Sequence, residues 1–234
     1  MSVVSRITSN KRGLIASLAA VAALGMTSAY TLGGFSASIA DPTSTFSSAT
    51  LQLSEGVGAT TCYSTGTGAG GTVTATNSGS CSGINVLTGT LDQVPGGTAL
   101  TSTITLKNVG NMPASVANLV TGTCTAAAAS DDSSYAGSDT TGFCGKVDVT
   151  VANTTSGATD KCVYPTQAAA CPALSNTYTL AGLAGTTFNT TPMSALAANA
   201  TATYVVTVQL DSTAATNADQ GLTATLPFTW SISQ

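Results

Sequence analysis

The sequence predicts an all-β fold, a jelly-roll-like antiparallel β-sandwich with long disulfide-pinned loops. Three observations predict it. Several runs alternate apolar and polar residues with a period of two, turn residues punctuate them, and no long helical period appears after the N-terminal segment. The composition agrees. Of the chain, 43% is hydrophobic and only 7% charged, so the polar faces must be built mainly from Thr, Ser, Asn and Gln. Threonine suits exposed strand positions because its branched side chain is stiff and fits the pleat. No internal repeat and no second domain is evident, and about 200 residues bury a core as one domain.

The first 34 residues read as a secretory signal. Arg6, Lys11 and Arg12 give a positive start, and "LIASLAAVAALGMTSA" (14–29) is apolar and ends in small residues. The cut falls after Ala29, or near Gly34 with Phe35 as the first mature residue. The competing reading is an uncleaved anchor, but the strongly apolar part is shorter than the ~20 residues a span needs. Removal leaves Lys107, Lys146 and Lys161 against ten Asp and Glu, a formal charge of −7 with neither Arg nor His. Such a chain lacks the basic face that nucleic acid or an anionic membrane requires, so contact with membrane is confined to the signal before cleavage.

Residues 35–55 read as an N-terminal extended segment and 56–234 as a single domain. In "STFSSATLQLSEG" (44–56), Ala49, Leu51 and Leu53 share one face and the run closes at Glu55-Gly56. Its neighbour, "GVGATTCYSTGTGAGGTVTATNSGSCSG" (56–83), is loop-like with a short strand candidate at "TVTAT" and offers no good hairpin partner. "INVLTGTLDQ" (84–93) is another strand candidate, and "VPGG" (94–97) is a turn. In the strand that follows, Leu100, Ser102, Ile104 and Leu106 share a face. "ASVANLVTG" (114–122) is the next strand, and the Ala-rich stretch 125–143 reads as a short helix or a loop. "KVDVTVAN" (146–153) turns Val147, Val149 and Val151 inward. "ATYVVTVQLD" (202–211) puts Tyr204, Val206, Val208 and Leu210 on one face. The last strand, 222–233, buries Leu222, Ala224, Leu226, Phe228, Trp230 and Ile232, and Pro227 marks an edge or a bulge in it.

Six cysteines behind a signal read as disulfides, with 15 connectivities open. The simplest pairs neighbours: Cys62–Cys81, Cys124–Cys144 and Cys162–Cys171. Metal-binding cysteines are disfavoured, because there is no C-x-x-C and no His.

The chemistry is sparse. Without His, neither a Ser–His–Asp triad nor an H-E-x-x-H zinc site can be built. Asp131, Asp132 and Asp139 form a calcium candidate through oxygen ligands, set against a plain solvated acidic loop. "TGTGAGG" (65–71) lacks the Lys and following helix of a phosphate loop. No cofactor is expected. Asn153, Asn189 and Asn199 fit N-x-[ST], a match that arises easily by chance in a Thr-rich chain.

Four stretches carry a family resemblance: "TSAYTLGGFSAS", "STFSSATLQLS", "LDQVPGGTALTSTITLKNVGNMPASV" and "TYVVTVQLD … QGLTATLPFTWSISQ". The chain resembles the TasA/camelysin family of secreted biofilm-matrix fibre subunits with a SipW-type signal. The resemblance covers about half of the mature chain and departs from the usual pattern in the long Thr/Gly/Ala insertions and the cysteines. It implies a jelly roll that polymerises head to tail by donor-strand exchange, as a homopolymer alone or with other matrix proteins. It implies Phe46, Ala49, Leu51 and Leu53 as the donor-strand side chains, while the same strand is expected to fold back in the monomer. The alternatives are a non-polymerising surface β-sandwich, such as an adhesin or carbohydrate-binding module, and a camelysin-like metallopeptidase; the latter fits poorly with a chain lacking His. A non-enzymatic, extracellular role is expected.

Overall fold

The computed structural model describes residues 40–41, 44–45, 49–66, 68, 71–73, 77–81, 84–87, 93–114, 116–129, 137–158, 161–189 and 193–233. The chain forms two compact units, Met1–Ala49 and Thr50–Gln234. In the first, β1 (Ala40–Asp41) pairs antiparallel with β2 (Ser44–Thr45). The signal region, with Ala29, Gly34 and Phe35, lies outside the described residues, as does Phe46.

The second unit is mostly β, and its described ladders are antiparallel. Its larger sheet has six strands in the order β4-β3-β5-β11-β8-β9. These are β3 (Leu53–Val57), β4 (Thr60–Tyr63), β5 (Leu100–Asn108), β8 (Val147–Asn153), β9 (Cys162–Tyr164) and β11 (Thr201–Leu210). The trio β5-β11-β8 is its centre. Ile104 and Leu106 of β5, Val149 and Val151 of β8, and Tyr204 and Val206 of β11 are almost completely buried. Thr101, Thr103, Thr105 and Lys107 alternate outward, as the period-two pattern predicts.

The second sheet has the order β10-β6-β13: β10 (Thr187–Phe188), β6 (Val116–Thr121) and β13 (Phe228–Ser233). Beyond it, β7 (Thr125–Ala128) pairs with β12 (Leu222–Thr225). The two ladders are one pair of chain segments interrupted by a bulge, where Gly122–Cys124 oppose Leu226–Pro227. Pro227 has no N–H to give, but its carbonyl accepts from Gly122 N at 2.9 Å. Both sheets enter one core: Tyr204 of β11 lies 4.9 Å from Trp230 of β13, ring centre to ring centre.

Three disulfides join Cys62 to Cys81, Cys124 to Cys144, and Cys162 to Cys171, the neighbour pairing. Lys146 Nζ binds Asp139 at 2.6 Å and Asp219 at 2.9 Å, tying residues 137–146 to the 3₁₀ turn Asn217–Asp219.

Several elements differ from the sequence reading. The first strand of the large sheet begins at Leu53 rather than at Ser44, and it continues through Glu55-Gly56 to Val57. It has a hairpin partner after all, since β4 follows across Gly58, which holds φ +58°. Gln52, Leu53 and Ser54 are all buried, so the alternation fails there; the Gln52 side chain donates to Thr65 and to the Gly68 carbonyl. Residues 84–87, read as a strand start, join no strand, and neither do Thr72 and Val73. In the Ala-rich stretch, 125–128 is a strand, because an exposed ladder position needs only backbone pairing. β8 buries Asp148 and Thr150 as well as Val149 and Val151. "VPGG" is a turn as read, with Gly96 at φ +69° and Gly97 N donating to the Val94 carbonyl.

The alternation of β5 is testable by substitution. Leu106→Ala is expected to lower unfolding stability by about 3 kcal/mol, against less than about 0.5 kcal/mol for Thr105→Ala. Urea denaturation with disulfides intact measures both.

Candidate functional site

Two sheets sharing a core have two lateral openings, and here they differ. On one side β9 and β10 approach each other: Tyr164 and Phe188 meet edge to face at 6.5 Å. The short helix α1 (Leu180–Leu183) plugs the space, burying Leu180 and Leu183. Thr179 caps it by accepting from Gly182 N, and the Tyr164 hydroxyl donates to the Thr179 carbonyl at 3.2 Å.

On the other side lies a groove of about 900 Å³. One wall comes from β3, β4 and the segment stapled to β4 by Cys62–Cys81; the other comes from β12, the bulge and β13. Both β4 and β13 are outermost strands, each with one partner among the described residues. Leu53, Val86, Leu226 and Trp230 give the groove an apolar floor. The 77–81 segment packs closely on β4, with Gly79 against the Tyr63 carbonyl, where a Cβ could not fit. Asn77 Nδ2 also donates to the Leu51 carbonyl at 3.1 Å.

Among the described residues Glu55 is the one charged residue that lines this groove, and it is the one Glu of the chain. Its β-ladder partners are Leu106 and Cys62, which put it on the same face as the core residue Leu106. Burial raises its pKa above the usual 4.5, and the neighbouring Trp230 indole partly opposes that rise. Trp230 is only 9% exposed, and its Nε1 has no hydrogen bond within strict geometry. The site thus holds an inward carboxyl and an indole N–H that lacks a well-formed partner, at an opening flanked by strand edges. The sequence signal for Glu55 was available: it shares the Leu53-x-Glu55-x-Val57 face with two apolar residues, yet reads at first as a turn.

The other singled-out residues fall elsewhere. Leu53 lies in β3, paired within its own chain, Leu51 packs half-buried against the core, and Ala49 is exposed. Asp131 and Asp132 lie outside the described residues, and Asp139 is held by Lys146 and by Gly142 N. Among the described residues no group of three His, Cys, Asp or Glu is placed to hold a metal ion. Asn153 is fully buried, where its amide donates to Ser194 at 2.8 Å. Comparison with protein-family models finds no match, and comparison with curated proteins finds none either.

Trp230 is the single Trp of the chain, so fluorescence excited selectively at tryptophan, past the six Tyr, reports on this groove. A pH titration is expected to show a transition with a midpoint above 4.5, and Glu55→Gln is expected to abolish it.

Proposed function

We propose that this chain is a structural, self-assembling subunit of an extracellular filament or matrix fibre. On this reading it is a jelly-roll-like domain, is exported, has no enzymatic role, and takes an extended N-terminal strand from the next copy into its groove. The observation that carries the proposal is the groove between β4 and β13, the opening that no helix plugs among the described residues. An outermost strand presents backbone N–H and C=O groups, and an incoming strand satisfies them while its alternate side chains fill the apolar floor. The contact joins different surfaces of the two copies, so it propagates as an open filament rather than closing on itself.

Leu51 and Leu53 already pack within their own chain, so the donor on this reading is the stretch upstream of them, with Phe46 as its apolar anchor. The β1–β2 ladder in that stretch has two residue pairs, a hairpin too small to be stable by itself. Opening it costs little against a full strand pairing. An uncut signal would tether this stretch, so signal removal would license assembly. Three disulfides support export to an oxidising compartment. The resemblance to the TasA/camelysin family points the same way.

Negative-stain electron microscopy of the chain from Phe35, beside a form lacking residues 35–48, tests the proposal. Filaments in the first and folded monomers in the second are expected. Monomers in both, across pH and concentration, would contradict it.

A further inference from the structure

A second constellation lies away from the groove, on the outer face of the large sheet. Asp148 of β8 stands opposite Gln209 of β11, and Asp211 is the next residue on that face beyond the strand end. The ladder runs on past the strand end, with Asp211 N donating to the Lys146 carbonyl, so Asp148 and Asp211 are diagonal neighbours on one face. Both are deeply buried, Asp148 at 2% and Asp211 at 8% exposure. The turn Val94–Gly97 helps to cover this end of the sheet: Gly96 N donates to the Leu210 carbonyl, and Gly96 packs so tightly on Ser212 that a Cβ would lie 2.8 Å from its side chain.

Two carboxyl groups buried at neighbouring positions do not both ionise freely, because each charge raises the cost of the other. The surroundings say which one keeps it. Asp211 Oδ1 accepts three hydrogen bonds, from Thr213 N at 2.7 Å, Thr213 Oγ1 at 2.7 Å and Ala214 N at 2.6 Å. Such an oxygen belongs to an ionised carboxylate. Asp148 Oδ1 accepts nothing. Among the described residues, the neighbouring elements bring no compensating cation. Gln209 is neutral, Tyr178 and Thr179 of the adjoining segment are neutral, and Val94–Gly97 carries no charge. Lys146 receives Asp211 N on its carbonyl, but its ammonium is held by Asp139 and Asp219.

We propose that Asp148 and Asp211 share one proton, with Asp148 as its holder, and that this pair fastens the turn after β11 to β8 most firmly in acidic surroundings. Burial, and then the Asp211 charge, raise the Asp148 pKa to about 6. The folded chain therefore holds this proton more tightly than the unfolded chain. The stabilisation is complete below the ordinary Asp range and is lost as pH rises through about 6. A rise of roughly two units corresponds to on the order of a hundred-fold in the folding equilibrium constant.

The test is denaturant unfolding of the full mature chain at pH 5 and pH 7.5, wild type beside Asp148→Asn, disulfides intact. An Asn amide donates to Asp211 as the protonated carboxyl does, at every pH. The variant is expected to match wild type at pH 5 and to exceed it at pH 7.5, by up to the order of a hundred-fold in the folding constant. An equal loss at both pH values, or an unchanged pH dependence, would overturn the proposal. So would a millimolar calcium effect that strengthens wild type at pH 7.5 and not the variant, which would assign the pair to a cation. Should the variant fail to fold, carboxyl-carbon NMR of wild type decides: a midpoint near 6 for Asp148 supports the shared proton, and an ordinary Asp midpoint overturns it.

Discussion

Two sheets that share one core leave two openings between them, and the use of this molecule depends on how each is closed. The β9–β10 side is closed from within, by α1 and by the Tyr164–Phe188 contact. Among the described residues, the β4–β13 side is only walled. A disulfide-stapled segment lines one flank, the bulge at Pro227 shapes the other, and the floor holds apolar side chains with Glu55 among them. Leaving apolar floor and backbone edges accessible costs stability, and a partner that fills them recovers it. On the proposed function, the asymmetry between the two sides supplies the direction that a head-to-tail polymer needs.

The composition sharpens this picture. With 7% of residues charged, the outer faces are hydroxyl surfaces, which do little to repel another copy. The described charges concentrate in particular places. Asp219 and Asp139 clasp Lys146, Asp148 leans on Asp211, and Glu55 sits inside the groove. The last two groups have raised pKa values, Asp148 through burial and a like charge, Glu55 through burial. Loss of negative charge on acidification therefore favours both a tighter sheet and a more apolar groove.

Much of the central sheet was legible in the sequence. β5, β11 and β13 alternate cleanly because one face meets the core and the other meets water, and Pro227 marked the bulge correctly. The period-two signal failed where that asymmetry fails. Around Gln52–Ser54 both faces are covered, and in β8 Asp148 and Thr150 are buried beside the valines. β7 carries no strand signature of its own; it forms because β12, distant in sequence, continues a ladder begun by β6 and β13. The groove was legible only in part. Its wall from residues 77–87 is irregular backbone fixed by a disulfide and by packing, which no periodicity encodes.

On the proposed function, residues 228–232 of β13 receive a strand from another copy. Hydrogen exchange of the assembled protein against the released subunit addresses it most directly. The β13 amides facing away from β6 are expected to slow by at least about ten-fold on assembly, while those of β9 stay as they were. Unchanged exchange in β13, with new protection elsewhere on the molecule, would contradict it.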